Sequence, residues 1–283
     1  MKKKRRKNRI IASIFAIFLL VAGYFSFVYQ APKENTKTVT IGVVGQTKED
    51  AKNWDSVAKA AKAKYGITIK IKNFTDYNQP NKALLNGDID LNAFQHFAFL
   101  DAWNKANKAN VVSIGKTIIA PIRLYSLKYK SIKSLPEGAT IAVPNDASNE
   151  SRALYVLKNA GLIKLKSGKK IVSVADITSN PKKLQIKEVA ADQAGRIIKS
   201  VDAAVVNNSY AAPAGLGDKQ TIYVEPVNKD SEQWINLIAA RNSDKNKQIY
   251  LDVVKAYQTK KTKELVKKYY GNTELTGWDI KIK

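Results

Sequence analysis

The sequence contains no cysteine and only one histidine, His96, among its 283 residues. Without cysteine there is no disulfide, no thiolate zinc site and no cysteine nucleophile, and one histidine cannot form a histidine-based metal cluster. A serine hydrolase would need other signals. No G-x-S-x-G motif occurs, and S-x-x-K matches at Ser56, Ser167 and Ser179 stand without their companion motifs. We therefore predict neither a metal nor a cofactor, while a Ser-His-Asp triad is disfavoured by the missing motifs without being excluded.

Acidic residues are scarce, with 24 against 48 basic residues and a net charge of +24. Seven basic residues lie in the first nine positions, which leaves 41 basic against 24 acidic residues, or +17, for the remainder. Nucleic acid is the first partner that such a charge suggests. However, the lysines are spread evenly, and no aromatic–basic stripe or recognition helix stands out. A basic surface near an anionic membrane or cell-wall polymer fits at least as well, and we predict no nucleic-acid partner.

The longest apolar run lies between a basic segment (residues 1–9) and a polar tether (29–37). Ile10–Val28 is 19 residues without a charge, about 28 Å of helix, which is enough to cross a bilayer. The basic segment should remain cytoplasmic, so that the rest of the chain lies on the extracellular face. A cleaved signal peptide is the alternative, but Tyr24 stands where a lipoprotein cleavage site needs cysteine, and no A-x-A-like site follows. We predict an uncleaved membrane anchor.

Beyond the tether, strand and helix patterns alternate, which predicts an α/β fold with largely parallel sheets. Thr38–Val44 is β-branched and typical of a strand, and Ser148–Ala160, closed by Gly161, is typical of a helix. Further predictions are strands over Ile67–Phe74, Asp90–Phe94, Gln185–Val189, Ala203–Val206, Thr221–Val224 and Trp234–Ala240, a helix around Asp176–Ser179, and one or two helices over Lys245–Tyr270. About 245 residues in this pattern suit two lobes better than one sheet.

Polar residues after predicted strands are candidates for ligand binding, because ligands of such folds bind at the carboxyl ends of strands. Arg152, in the first turn of a helix and close to Asn149, combines a guanidinium fork with free N–H groups, which suits a carboxylate. Asn207, after a buried strand, can accept a hydrogen bond from an ammonium group. The alternatives are a surface ion pair of Arg152 with Glu150 or Asp146, and a plain turn at Asn207.

Aromatic residues occupy two other strand ends. Tyr77, Phe94 and His96 could form the walls of an apolar slot for a polarizable thioether. The alternative is that Phe94 lies in the core and that His96 is a packed, hydrogen-bonded residue. A carboxylate, an ammonium group and a thioether together describe methionine.

Several strings resemble the NlpA family, the substrate-binding lipoproteins of methionine ABC importers. They are DLNAFQH, VPNDASNESRALYVLKNAGLIKLK, NPKKLQIKEVAADQ, DAAVVNNSYA and WINLIAAR, in order between about Thr38 and Trp278. The resemblance implies a periplasmic-binding-protein type II fold with a ligand cleft between two α/β lobes. Lobe one would combine residues 38–124 with 229–283, and lobe two would be residues 125–228.

The same resemblance implies roles for individual residues and partners for the protein. The side-chain pocket falls on Tyr77, Phe94 and His96, the carboxylate clamp on Arg152 with Asn149 beside it, and the amino-group partner on Asn207, with Glu188 and Tyr210 as further possible ligand-binding residues. The protein would be a receptor and not an enzyme, and its partners would be an ABC permease and its ATPase. A methionine-containing dipeptide such as Gly-Met, D-methionine or another small amino acid stays open as the ligand. A secreted serine hydrolase and a surface adhesion protein are the alternatives from other classes.

Overall fold

The computed structural model describes residues 37–280. The predicted anchor, Ile10–Val28, lies outside the described residues. Between Lys37 and Ile280, no helix combines the length and the apolar character needed to cross a membrane.

Strands and helices alternate through this part of the chain. The strands are β1 (Lys37–Val44), β2 (Ile67–Phe74), β3 (Leu91–Asn92), β4 (Val112–Lys116), β5 (Ile118–Ile119), β6 (Arg123–Tyr125), β7 (Thr140–Pro144), β8 (Lys164–Leu165), β9 (Ile177–Ser179), β10 (Gln185–Val189), β11 (Ala203–Val206), β12 (Thr221–Val224), β13 (Leu237–Ala240) and β14 (Leu275–Thr276). The helices are α1 (Lys48–Tyr65), α2 (Gln79–Asn86), α3 (Phe97–Asn107), α4 (Ala147–Asn159), α5 (Ala191–Ala194), α6 (Asn208–Ala211), α7 (Gln248–Tyr257) and α8 (Lys260–Tyr270).

Ten of these strands form two five-stranded sheets, the first in the order β2-β1-β3-β13-β4 and the second in the order β10-β7-β11-β6-β12. In the first sheet β1 runs parallel to β2 and β3, while β13 runs antiparallel to β3 and β4. In the second, β7 runs parallel to β10 and β11, while β6 runs antiparallel to β11 and β12. The α/β class and the prediction of largely parallel sheets are both confirmed, because four strands of each sheet run in the same direction and only β13 in the first and β6 in the second run against them. β6 and β13 each enter a sheet directly after the chain arrives from the other one, so no crossover helix forces them to be parallel.

The chain passes between the two sheets twice, through residues 117–122 and 225–236. These crossing segments bind each other, because Asn236 donates its N–H to Ile118 O and accepts one from Thr117, both at 2.7 Å. Farther along, the N–H of Glu225 donates to Ile122 O at 3.0 Å. These hydrogen bonds hold the two crossing segments side by side where the chain passes from one sheet to the other. The lobe boundaries given above stay a prediction.

Helix α1 illustrates how the local sequence produces these elements. Thr47 begins it with a capping box, in which Asp50 N donates to Thr47 Oγ1 and Thr47 N donates to Asp50 Oδ2. Gly66, at φ 68°, ends it in the left-handed conformation. Trp54, Val57 and Ala61 recur on one face and are buried in the core with β1.

Two predicted elements have a different structure. Asp176 closes a 3₁₀ turn over Val174–Asp176 by accepting from Ser173 N at 3.0 Å, and Ile177–Ser179 is strand β9 instead of a helix. Lys229–Trp234 is also a 3₁₀ helix, so the strand predicted from Trp234 begins at Leu237. The segment Lys245–Tyr270 is two helices, α7 and α8, because Thr259 caps the second by accepting from Thr262 N.

A glycine in β4 sets how closely α7 can pack on the first sheet. A Cβ atom on Gly115 would lie 2.5 Å from Val254 Cγ1 and 2.9 Å from Cγ2. Because the helix would have to shift, we expect Gly115→Ala to lower the free energy of unfolding by about 1–3 kcal/mol in urea denaturation. Gly217→Ala is the control, since a Cβ there meets nothing within 4 Å and φ is −154°. Equal midpoints for the two variants would contradict this packing argument.

Candidate functional site

A cavity of about 370 Å³ is lined by residues from elements of both sheets and from the crossing segments. Its volume falls in the range of small-molecule sites, roughly 300–1,000 Å³. The lining includes all six principal candidates from the sequence, which are Tyr77, Phe94, His96, Asn149, Arg152 and Asn207. The two further candidates lie elsewhere. Glu188 is exposed on the edge strand β10, and Tyr210 is buried beside the cavity with its ring 5.0 Å from that of Tyr77.

The loop that carries Phe94 and His96 is held by three buried amides. Gln95 Nε2 donates to Asn81 Oδ1 at 2.7 Å and to Asn92 Oδ1 at 2.9 Å. Asn81 Nδ2 donates back to Gln95 Oε1, and Asn92 Nδ2 donates to Asn81 Oδ1, both at 2.9 Å. This amide triad ends strand β3 at Asn92, which is why the predicted strand Asp90–Phe94 is shorter than expected. The triad also fixes Gln95, which lies between Phe94 and His96 in the chain.

An aromatic wall forms the apolar side of the cavity. The rings of Tyr77, Phe94 and Phe99 lie 5.7–5.9 Å apart, in tilted and edge-to-face arrangements. Such pairs each contribute about 0.5–1.5 kcal/mol beyond the area that they bury. Burial also raises the pKa of the Tyr77 phenol, so this ring is neutral at physiological pH. Phe99 was not among the candidates predicted from the sequence. Its offset of three positions from His96, at the start of a helix, was the signal that could have placed it on the cavity.

His96 is buried and uses both ring nitrogens. Nδ1 caps helix α3 by accepting from Phe99 N at 3.1 Å, so the proton of the neutral ring is on Nε2. Nε2 faces Asn149 Oδ1 at 3.3 Å, and this contact joins α3 to α4. Burial, and then the positive charge of Arg152, lower the pKa of His96 to about 3. The imidazole is therefore a neutral part of the wall.

Asn149 links His96 to the end of β11. Its Oδ1 also accepts from Asn207 Nδ2 at 2.7 Å, while its Nδ2 donates to the helix-capping residue Asp146. Asn207 is thereby oriented with its amide nitrogen used and its oxygen free. Asn207 Oδ1 is buried and has no hydrogen-bond partner among residues 37–280. A buried acceptor without a partner costs free energy that a ligand donor would recover.

Arg152 is buried and pairs with neither Glu150 nor Asp146, so the surface-pair alternative is wrong. Its Nε donates to Glu225 Oε1 at 2.9 Å, and its Nη2 donates to Glu225 Oε2 at 2.5 Å and to Ala120 O at 3.0 Å. The guanidinium also lies over the Trp234 ring, 5.1 Å from its centre. Nη1 makes no hydrogen bond within the described part of the chain and belongs to a residue that lines the cavity. Glu225 and Trp234 had no signal in the sequence pattern.

Three acidic residues, Asp50, Asp218 and Glu274, also line the cavity and were not predicted. Asp50 accepts from Tyr270 Oη at 2.6 Å and caps α1. Burial, followed by repulsion from Asp50, raises the pKa of Glu274 to about 8. At neutral pH Glu274 is therefore mostly protonated and adds little negative charge.

These groups can bind a small molecule that has one acidic end, one amino end and an apolar side chain. The guanidinium supplies donors, Asn207 Oδ1 supplies an acceptor, and the aromatic wall supplies an apolar surface. Residues 37–280 contain no group of three or more histidine, cysteine, aspartate or glutamate side chains that could hold a metal ion.

Because His96 is the single histidine, its protonation can be observed directly. Its folded pKa of about 3 lies below the ordinary value of 6.5. Hence its contribution to stability is fully present above about pH 6.5 and is lost as the pH falls toward 3. We expect the ring protons to show no NMR titration between about pH 5 and 8. Below about pH 6, the free energy of unfolding should fall more steeply for the wild type than for His96→Gln. A ring that titrates near pH 6.5 would show that the imidazole is hydrated instead.

Comparison with known proteins gives consistent results. A family model described as NlpA lipoprotein matches residues 39–278. A "Probable D-methionine-binding lipoprotein MetQ" of Pasteurella multocida is 41% identical over 251 residues, covering 88% of this chain and 89% of the relative. Among solved structures, the substrate binding protein of a methionine transporter from Streptococcus pneumoniae has a TM-score of 0.80 at 42% identity, covering 85% of this chain and 96% of its own. A nutrient binding protein from Burkholderia cenocepacia bound to methionine has a TM-score of 0.79 at 44% identity, covering 84% and 99%. With the family model matching most of its length, this chain belongs to the NlpA lipoprotein family.

Proposed function

We propose that this protein is the substrate-binding component of an ABC importer and that its ligand is methionine. The observation that carries the proposal is the convergence of Tyr77, Phe94, His96, Asn149, Arg152 and Asn207 on one cavity. Relatives named as D-methionine-binding lipoproteins, and a similar structure bound to methionine, support the same ligand. The protein binds its ligand without turnover and passes it to a permease that works with an ATPase.

The chemistry of the cavity suggests how methionine would be oriented. Its carboxylate accepts from Nη1 of Arg152, the guanidinium nitrogen that Glu225 and Ala120 leave free. Its ammonium group donates to Asn207 Oδ1, the buried acceptor without a partner. Its thioether packs among Tyr77, Phe94 and Phe99, where sulfur–aromatic contacts contribute about 0.3–1.5 kcal/mol.

The fold proposed for this role has two lobes, with residues 38–124 and 229–283 in one and 125–228 in the other. Support comes from the two sheets, because the strands of each come from one of these groups of residues, except that β1 and β6 begin one and two residues before the proposed boundaries. The cavity between elements of both sheets then corresponds to a cleft that closes on the ligand.

We further propose that the domain is exported and held at the outer face of the cell membrane by an uncleaved helix over Ile10–Val28. Relatives are named as lipoproteins, and Tyr24 stands where such a protein would have its lipidated cysteine. An apolar helix can replace the lipid, since it places the domain in the same compartment beside the permease.

The ligand assignment is tested by isothermal titration calorimetry of the full-length protein in detergent. We expect saturable 1:1 binding of methionine. Arg152→Lys should weaken it by about 2–3 kcal/mol, because one ammonium group cannot serve both Glu225 and the ligand carboxylate.

The matched control is Arg123→Lys, since Arg123 also lines the cavity but pairs with the exposed Asp218. We expect this variant to change affinity by less than about 0.5 kcal/mol. Unchanged methionine binding by Arg152→Lys would refute the carboxylate assignment. Binding of glycyl-methionine but not of methionine would favour the dipeptide alternative.

The anchor is tested by isolating the protein from membranes and sequencing its N-terminus. We expect the residues before Ile10 to be retained, because no good site for either signal peptidase follows the apolar run. A mature N-terminus near Tyr24 or Lys33 would show that the segment is a cleaved signal.

A further inference from the structure

The charged groups around the cavity leave no excess of positive charge before any ligand arrives. Its acidic and basic lining residues, apart from the neutral His96, are Asp50, Arg123, Arg152, Asp218 and Glu274, the last of which is mostly protonated at neutral pH. None of the described residues that line it is a lysine. This contrasts with the whole chain, whose net charge is +24. Both lining arginines already have a carboxylate partner, Arg123 with Asp218 and Arg152 with Glu225.

The two pairs differ in how completely they neutralise the arginine. The side chain of Asp218 is 85% exposed, so water screens much of its interaction with Arg123. By contrast, the side chains of Arg152 and Glu225 are 3% and 8% exposed, and the pair is bidentate. In this buried setting the negative charge of Glu225 acts on Arg152 with little screening.

Glu225 does not line the cavity and acts from behind the arginine. Its Oε2 also accepts from Ile122 N at 3.0 Å, which fixes the carboxylate in the crossing segments. The imidazole of His96 and the amides of Asn149 and Asn207 are neutral, and the carboxyl groups of Asp50 and Glu274 can add only negative charge to the cavity. Among the described residues that line the cavity, no positive charge without a partner is therefore left to balance a ligand that carries only a carboxylate.

We propose that Glu225 is a positioning residue that makes the cavity selective for ligands of zero net charge, so that the ligand's ammonium group is as necessary as its carboxylate. This rests on the proposed function. A carboxylate that enters alone turns one buried ion pair into a triad with a net charge of −1, and burying an uncompensated charge is costly. A zwitterion brings its own compensating charge and places it at Asn207 Oδ1.

The test compares two ligands of the same shape by calorimetry, using full-length protein at pH 7. Methionine is the zwitterion, and 2-hydroxy-4-(methylsulfanyl)butanoate replaces its ammonium group with a hydroxyl, which keeps a donor but leaves a net charge of −1. We expect the wild type to bind the hydroxy acid at least about 100-fold more weakly than methionine, a discrimination on the scale expected for an unbalanced buried charge. Affinities within about threefold of each other would overturn the proposal.

Three variants separate charge from structure. Glu225→Gln keeps the volume and one acceptor but removes the charge, so the preference for methionine over the hydroxy acid should fall by at least about tenfold. In Glu225→Asp, the charge stays while the geometry worsens, and both affinities should fall with their ratio unchanged. Asp218→Asn, at the screened pair, should leave the ratio within about twofold of the wild type.

Each outcome bears on a definite claim. Equal losses for both ligands in Glu225→Gln, as in Glu225→Asp, would show a merely structural role and overturn the proposal. Should Glu225→Gln fail to fold, the wild-type comparison of the two ligands still decides. Failure of methionine itself to bind would refute the proposed function together with this inference, whereas methionine binding without discrimination would refute this inference alone.

Discussion

The buried ion pair between Arg152 and Glu225 is the constraint on which the rest of the cavity depends. It joins the second turn of α4 to the second crossing segment, and its further hydrogen bonds to Ala120 O and from Ile122 N reach the first crossing segment. The net stability from such a pair is small, because both ions lose their hydration, yet removing one partner costs about 3–5 kcal/mol. The pair therefore specifies where α4 begins relative to the crossings, and this position aims the remaining guanidinium nitrogen.

From this pair a continuous set of contacts leads to the apolar wall. The Arg152 guanidinium carbon lies 5.1 Å from the centre of the Trp234 ring. The centre of the His96 ring also lies 5.1 Å from the centre of the Trp234 ring, in an edge-to-face arrangement. His96 in turn caps the helix that carries Phe99, whose ring packs on Phe94. The residue proposed to bind the carboxylate and the aromatic wall are thus connected by packed side chains. A displacement of Arg152 would therefore be transmitted to the aromatic wall, and the reverse.

Much of the fold and of the cavity could be predicted from the sequence, because local patterns carry that information. The strands over Ile67–Phe74, Gln185–Val189, Ala203–Val206 and Thr221–Val224 have the predicted bounds. These are β-branched or apolar runs bounded by turn residues. The rest depended on contacts distant in sequence. Glu225 meets Arg152 across 73 positions, and no local periodicity marks such a partner. Glu188 was a candidate because it lies near the end of a predicted strand. The local sequence could not show that this strand, β10, lies at the edge of its sheet and away from the cavity.

The amide triad of Asn81, Asn92 and Gln95 has a consequence for the conditions under which the cavity keeps its shape. Amides do not ionise, and a buried network of them exchanges no protons and attracts no counterions. The loop that presents Phe94 and His96 is thus anchored by bonds that neither acidity nor dissolved salt can weaken directly. An ionic anchor at the same place would loosen whenever its carboxylate took up a proton. Because these anchors are uncharged, neither pH nor salt acts through them on the position of the loop that carries Phe94.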